Sequence, residues 1–220
     1  MLGRTHYTVD GAAASPPGQA VALAKRALAG GMAVICLRCR DASDRAALEL
    51  ARALGYLCRR RGATFLVAGR VDIALAAGAD GVNLGPDDMA VRDARRLLGQ
   101  SLLIGAQAST AADARRLVTD GASFITTDFK NTGVGMDALP YISSLAGAPV
   151  IACGAFDSSS LADLVGAGVH GVDLSRLVGN EIAANEIAPN GVPADGPGTD
   201  AIFGALVDAV AAAWSAPEPA

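Results

Sequence analysis

Three short segments of this chain repeat nearly the same pattern, in which small residues with a glycine are followed at once by an apolar stretch. The segments are 77–82, 120–125 and 167–172, which read AGADGV, DGASFI and AGVHGV. Glycine adopts the left-handed conformation that ends a helix at little cost, so each segment is typical of a helix end followed by a strand. Repetition of this pattern along one chain predicts alternating strands and helices, and therefore a parallel sheet covered by helices.

Apolar runs and turn residues divide the chain into eight predicted strands, each followed by a helix or by a candidate helix. We expect the strands at 5–9, 33–38, 64–68, 80–84, 102–106, 123–126, 149–153 and 170–174. This count matches a closed (β/α)8 barrel, a TIM barrel, forming a single domain over residues 1–220, which is near the lower end of length for this fold. A doubly wound open sheet is the alternative, but it would usually have fewer strands and a glycine-rich first turn, which the segment 10–14 (DGAAA) does not supply.

Local signals refine this prediction. Ser43 and Thr110 precede predicted helices and are expected to cap them, because a hydroxyl oxygen accepts a hydrogen bond from a free amide of the first turn. Arg92, Arg95 and Arg96 in the fourth helix are expected to face solvent. The segment 179–199 (GNEIAANEIAPNGVPADGPGT) interrupts the alternation of elements. A connector of this length is either a flexible link or a lid over the end of strand eight.

Composition and charge argue against several classes of function. The chain has 51% hydrophobic residues, 4% aromatic residues and a formal net charge of −4. A mildly acidic chain is a poor candidate for nucleic-acid binding, which needs Lys and Arg to neutralise phosphates. No apolar run is long enough to span a bilayer and residues 1–9 lack a signal-peptide layout, so we expect no membrane partner and a cytoplasmic location. The cysteines are expected to be reduced thiols, with Cys36 and Cys39 on opposite faces of the second strand.

The turns after the strands of a barrel meet on one face, which is where a site is expected. Arg38 and Arg40 follow strand two and could neutralise an anionic group, because an arginine that ends an apolar strand needs an anionic partner. Glycine and serine at helix starts after strands seven and eight favour a phosphate. Asp87 and Asp88 after strand four either hold Mg²⁺ or cap the fourth helix. The two histidines, His6 and His170, are expected to be structural.

The order of these motifs resembles the thiamine-phosphate synthase family, which includes the related thiazole tautomerases. The resemblance covers roughly residues 7–178 and is strongest over 71–88, which reads VDIALAAGADGVNLGPDD. It implies the same (β/α)8 barrel. Synthases of this family join a pyrimidine diphosphate to a thiazole phosphate, release pyrophosphate and use Mg²⁺.

Only part of the family's site carries over to this chain. The resemblance implies that Arg38 and Arg40 grip the diphosphate, although Cys36 replaces the family's glutamine there. It assigns Asp88 as a metal ligand, but Ala68 and Gly69 stand where the family has an asparagine and a second metal-binding aspartate. The remaining residues implied at substrate or phosphate positions are Gln107, Lys130, Gly154, Ala155, Ser175 and Arg176.

Two functions remain open on this basis. The first is a barrel of this family with a degraded site, which binds a phosphorylated small molecule and has weak, altered or no synthase activity. The alternative is an active thiamine-phosphate synthase. Losing one of two carboxylates should weaken Mg²⁺ binding strongly, whereas Arg70, next to Gly69, could replace the ion's charge only in part. The family resemblance also allows a homodimer.

Overall fold

The computed structural model describes residues 2–11, 17–128, 135–154, 158–178 and 198–215. Eight parallel strands form a closed barrel in sequence order, and β8 pairs with β1 to complete it. The strands are β1 (Thr5–Asp10), β2 (Val34–Arg38), β3 (Thr64–Ala68), β4 (Gly81–Leu84), β5 (Leu103–Gln107), β6 (Phe124–Asp128), β7 (Val150–Cys153) and β8 (Gly171–Asp173). The predicted (β/α)8 barrel is therefore confirmed, and the open-sheet alternative is wrong.

Helices follow the strands and surround the barrel. They are α1 (Pro17–Ala29), α2 (Asp44–Arg61), α3 (Val71–Ala77), α4 (Val91–Leu98), α5 (Ala111–Thr119), α6 (Leu139–Ala146), α7 (Leu161–Gly166) and α8 (Gly198–Ser215). Short 3-10 turns precede α6 at Met136–Ala138 and α7 at Ser158–Ser160. In the described part of the chain, no helix is both long and apolar enough to cross a membrane.

The repeated glycine segments form the turns that the sequence predicts. Gly78, Gly121 and Gly168 each have a positive φ, of 65°, 111° and 74°, just after α3, α5 and α7. A strand begins three residues after each glycine, at Gly81, Phe124 and Gly171. Each glycine thus ends one helix and directs the chain into the next strand.

Alternation along the strands separates two apolar clusters. Cys36 packs inside the barrel with Val34, Leu66, Phe124 and Ile151. Cys39 belongs to the larger cluster of helix and outward strand residues. The two thiols therefore lie on opposite sides of the sheet, as predicted from strand geometry. The cysteines are unpaired thiols.

Two of the predicted helix caps are confirmed, and one prediction about α4 is wrong. The Ser43 and Thr110 side chains accept hydrogen bonds from the backbone amides of Ala46 and Asp113. Arg95 does not point into solvent, because its guanidinium donates to the backbone carbonyls of Leu102 (2.8 Å) and Gly121 (2.8 Å). This arginine fastens α4 to the segments that enter β5 and β6.

The histidines have structural environments, as predicted. His6 is buried in β1, and its Nε2 lies 3.0 Å from the carbonyl oxygen of Gly3. His170 precedes β8, and its Nε2 lies 2.9 Å from the carbonyl oxygen of Leu2. Both rings thus secure the N-terminal segment at the end of the barrel opposite the strand C-termini.

Candidate active site

A cavity of about 780 Å³ opens at the C-terminal ends of the strands. Residues from many strands and from the loops that follow them line it. They are Thr8, Asp10, Arg38, Arg40, Asn83, Pro86, Asp87, Gln107, Ser109, Thr126, Asp128, Cys153, Gly154, Asp173, Ser175 and Arg176. The fold therefore brings Arg38, Arg40, Gln107, Gly154, Ser175 and Arg176 to one cavity.

Arg38 and Arg40 form the cationic edge of this cavity. The residues of β2 before Arg38 are buried, whereas Arg38 itself is exposed, as is Arg40 in the following turn. Within the described part of the chain, neither guanidinium has a hydrogen bond or an ion pair. Two unpaired guanidiniums at the rim of a cavity are suited to bind a phosphate, because each presents several N–H donors in a fixed plane.

The strand-seven and strand-eight side of the cavity is less open to an anion. Gly154, after β7, has a φ of 129° and presents only its backbone. The Arg176 guanidinium lies 3.7 Å from the Asp128 carboxylate, so part of its charge is already balanced inside the protein. Two further predicted residues, Lys130 and Ala155, lie outside the described residues.

Ser175 uses its donors within the protein. Its hydroxyl and its backbone N–H both donate to Oδ1 of Asp173, the N–H over 2.9 Å. The hydroxyl oxygen also accepts from the backbone N–H of Thr8 at 2.7 Å. Binding a ligand phosphate through the Ser175 hydroxyl would therefore require its bond to Asp173 to break.

Asp88 lies beside the large cavity rather than in its lining. It borders an adjoining cavity of about 380 Å³, which shares Pro86, Gln107 and Ser109 with the large one. Asp88 Oδ2 accepts a hydrogen bond from the Gly85 backbone N–H at 2.7 Å. The helix-capping hypothesis for Asp87 and Asp88 is wrong, since α4 begins after Ala90 and no side chain caps it.

The described residues do not fit a Mg²⁺ site built from two facing carboxylates. Gly69 has a φ of 72°, and a Cβ placed on it would lie 2.8 Å from Oδ1 of Asp88. Asp88 therefore packs directly against the position where a second carboxylate would have to stand. Among the residues that the structure describes, no three His, Cys, Asp or Glu side chains form a group that could hold a metal ion. The Arg70 guanidinium pairs with Asp44 and Asp72 and is not part of the cavity lining.

Neutral groups lie near the carboxylate of Asp173, which is one of the residues that line the cavity. Burial raises the pKa of the Cys36 thiol to about 12 and that of Cys153 well above its usual value, and the charge of Asp173 adds to both shifts. Burial also lowers the pKa of His6 to about 4, against the opposing effect of Asp173. Near pH 7 these thiols and this imidazole are uncharged, so none of them is an anion-binding group or an activated nucleophile.

A second concave surface lies between α1 and α2, at the opposite end of the barrel. It encloses about 430 Å³ and is lined by Lys25, Arg26, Arg60 and Arg61 together with apolar residues. Arg26, Arg60 and Arg61 lie in the last turns of the two helices, where they stabilise the negative ends of the helix dipoles. This surface is remote from the strand ends.

Sequence reasoning missed several polar residues of the cavity, of which Asp173 is the most informative. Thr8, Asn83, Thr126 and Cys153 also line the cavity from inside the barrel. The signal for Asp173 was a single charged residue within the apolar stretch GVDL of strand eight. A charged side chain that points into the barrel needs polar neighbours or a ligand. This requirement could have identified Asp173 as a residue of the site.

Fold and cavity together define a class: a (β/α)8 barrel with an arginine-edged cavity at the C-terminal ends of its strands, where barrel enzymes hold their active sites. The family model described as thiamine monophosphate synthase matches residues 7–178. The chain belongs to the thiamine monophosphate synthase family, and the resemblance predicted from its sequence is confirmed.

Individual relatives agree with this membership. The thiamine-phosphate synthase of Methanoculleus marisnigri is 37% identical over 167 residues, which make up 71% of this chain and 79% of that protein. The thiamine-phosphate synthase of Gloeobacter violaceus is 35% identical over 172 residues, which make up 74% of this chain and 50% of that protein. The chain thus spans only half of the latter's length. A solved structure, the thiamine phosphate pyrophosphorylase from Pyrococcus furiosus, is similar with a TM-score of 0.78 and 25% identity, covering 96% of each chain.

Proposed function

We propose that this protein binds a phosphorylated small molecule in the cavity at the strand C-termini, with weak, altered or no thiamine-phosphate synthase activity. The observation that carries the proposal is the pair of guanidiniums of Arg38 and Arg40, which have no partner among the described residues and lie at the rim of a cavity of about 780 Å³. An anionic ligand would satisfy both side chains with charge-assisted hydrogen bonds. The cavity volume suits a small molecule, which is consistent with the similarity to thiamine-phosphate synthases.

Two features of the site support altered rather than retained synthase chemistry. Expulsion of a diphosphate needs its developing negative charge to be stabilised, and metal ions are an effective means of doing so. Here Gly69 removes one of the two carboxylates that the family uses for the metal, and Asp88 fills the space beside it. Ser175 directs its hydroxyl proton to Asp173 and not toward the cavity.

The remaining cavity residues have supporting roles in this proposal. Gln107 ends β5 with an amide that can donate to or accept from a ligand, and Gly154 allows a ligand to approach the backbone after β7. Arg176 adds positive charge once a ligand competes with Asp128. We propose that Mg²⁺ joins Asp88 only together with the ligand's own phosphates, because one carboxylate alone is a weak Mg²⁺ site. Lys130 and Ala155 remain predictions.

The second candidate function is an active thiamine-phosphate synthase. It is favoured by the relatives of that name, at 37% and 35% identity, and by Arg38 and Asp88 at matching positions of the family, with Arg40 as a cation in place of the family's lysine. In this case the single carboxylate at Asp88 and the two arginines would supply enough stabilisation for turnover.

Titration calorimetry with thiamine phosphate tests the binding proposal. We expect binding by the wild type and at least a tenfold loss for the variant in which Arg38 and Arg40 are both methionine. Arg115→Met, on the exposed face of α5, is the matched control and should bind as the wild type does. No heat with thiamine phosphate, or equal loss in the control, would refute the proposal.

A steady-state assay separates the two candidate functions. The enzyme is supplied with the pyrimidine diphosphate, the thiazole phosphate and Mg²⁺, and released pyrophosphate is measured. Our proposal predicts little or no release even at high enzyme concentration, whereas rapid turnover would establish the synthase. The double variant Ala68→Asn with Gly69→Asp restores the family's residues, and a gain of activity in it would identify the site as a decayed synthase site.

A further inference from the structure

The carboxylate of Asp173 occupies the place in the cavity where donors from β1 and from the turn after β8 converge. Asp173 Oδ1 accepts from the backbone N–H and the hydroxyl of Ser175, and Oδ2 accepts from the Thr8 hydroxyl at 2.9 Å. These donors surround the carboxylate as they would surround a bound anion. The protein thus supplies an anion of its own at this end of the cavity.

This arrangement disfavours a second anion at the same place. Both donors of Ser175 are already used, and a ligand phosphate there would lie beside a carboxylate of the same charge. Like charges in a partly buried site repel strongly, because the protein screens them less than water does. Among the described residues, the cavity's phosphate-binding groups without an internal partner are instead Arg38, at the C-terminal end of β2, and Arg40, in the turn after it.

In the described part of the chain, Asp173 has no cationic partner. Within the described residues no lysine or arginine forms an ion pair with it, and the Arg176 guanidinium is directed to Asp128. A carboxylate oxygen has two lone pairs, and Oδ2 uses one of them on Thr8, so Asp173 keeps acceptor capacity toward the cavity that it lines. A half-buried carboxylate of this kind gains from a positive charge brought by a ligand.

The surroundings of Asp173 leave the local field negative. Asp173 raises the pKa of the neighbouring Cys36 and Cys153 thiols more strongly than Arg38 lowers it. His6 supplies no compensating charge, because its burial holds the pKa at about 4. The cavity therefore carries Arg38 and Arg40 on its strand-two side and Asp173 on its strand-eight side, and its lining also includes the carboxylates of Asp10, Asp87 and Asp128.

We infer that Asp173 is a specificity-determining residue that makes the strand-eight end of the cavity a subsite for a positively charged nitrogen group. The inference rests on the proposed function and adds to it the chemical class of the ligand. That ligand carries a phosphate at one end, bound by Arg38 and Arg40, and a cationic nitrogen centre at the other, bound by Asp173. It is a phosphorylated compound of zwitterionic character rather than one with anionic groups at both ends.

Three probes separate the two ends of the cavity by calorimetry. Thiamine phosphate carries a cationic ring and a phosphate, thiazole phosphate carries the phosphate on an uncharged ring, and thiamine carries the cation alone. Each is titrated into the wild type and into Asp173→Asn, which keeps the side-chain shape and removes the charge. We expect Asp173→Asn to lower the affinity for thiamine phosphate and for thiamine at least tenfold. The affinity for thiazole phosphate should stay unchanged or increase.

Two controls make the outcome specific to the charge of Asp173. Asp163→Asn removes one negative charge from the exposed part of α7 and should leave all affinities within twofold. Ser175→Ala removes the internal donor but not the carboxylate, so it should retain the preference for thiamine phosphate over thiazole phosphate. Thermal unfolding confirms that each variant is folded before it is titrated.

The results distinguish failure of the inference from failure of the proposed function. If wild type binds thiazole phosphate and thiamine phosphate equally, or if Asp173→Asn weakens both alike, the cationic subsite is refuted while phosphate binding stands. If wild type binds thiamine but neither phosphorylated probe, the proposed function is refuted while a cation site at Asp173 stands, provided that Asp173→Asn abolishes thiamine binding. Absence of binding by all three probes refutes both.

Discussion

Replacing Gly69 with aspartate places two carboxylates in contact, and the structure gives the size of the effect. A Cβ at Gly69 would lie 2.8 Å from Oδ1 and 3.0 Å from Oδ2 of Asp88, and the φ of 72° is one that only glycine adopts freely. The strain at this φ costs about 1 kcal/mol for an aspartate or asparagine. Moving Asp88 away also breaks its bond to the Gly85 N–H, which costs about 2 kcal/mol for a charged acceptor.

These contributions predict different outcomes for two variants of the same shape. In Gly69→Asn the free energy of unfolding should fall by about 3 kcal/mol, which for a chain of 220 residues lowers the Tm by roughly 6–12 °C. In Gly69→Asp the free energy of unfolding should fall by a further ~1–4 kcal/mol. This range is the repulsion energy of two like charges about 4 Å apart, from its value in water to its value near a protein surface. The additional loss in Gly69→Asp measures the charge alone, because the shape is shared.

Mg²⁺ should then act on one variant only. In Gly69→Asp the two carboxylates can share a hard cation, so Mg²⁺ at ten times its Kd should recover about 1.4 kcal/mol. Calorimetric melting curves with Mg²⁺ and with a chelator provide the measurement for wild type, Gly69→Asn and Gly69→Asp. Equal melting of the two variants without metal, or equal stabilisation of all three proteins by Mg²⁺, would refute the reasoning about this site.

Other parts of the structure give predictions that can be checked by unfolding experiments. Arg95→Met leaves the carbonyls of Leu102 and Gly121 without their donor, and urea unfolding should show a loss of about 2 kcal/mol in the free energy of unfolding. The control Arg96→Met, at an exposed position, should change the free energy of unfolding by less than about 0.5 kcal/mol. Equal effects of the two substitutions would contradict the role assigned to Arg95. His6 has a lowered pKa of about 4 when folded and an ordinary value of 6.5 when unfolded, so the unfolded chain binds the proton first as the pH falls below 6.5. Stability should therefore drop by about 2 kcal/mol between pH 7 and pH 5, and a His6→Gln variant that shows the same drop would exclude His6 as its cause.

Much of the fold could be predicted because its signals are local. Gly78 and Gly168 each end a helix through their own backbone conformation, and Ser43 and Thr110 cap helices through bonds within one turn. Those signals need no knowledge of distant residues. Arg95 differs, because the carbonyls that it binds enter β5 and β6 and become its partners only when the barrel closes.

The site was predictable in its position but not in its internal bonding. Alternation and strand ends placed Arg38 and Ser175 at the same face, and both line the cavity. The hydrogen bond from the Ser175 hydroxyl to Asp173 depends on the geometry of the turn after β8. That Asp88 packs against Gly69 depends on the approach of two loops. Neither contact has a sequence signature of its own.

A crystal structure of the protein with thiamine phosphate tests the central claim most directly. Our account predicts the phosphate between the guanidiniums of Arg38 and Arg40, with the cationic ring nearest to Asp173. Phosphate bound by Ser175 with Asp173 displaced, or phosphate in the cationic surface between α1 and α2, would contradict it.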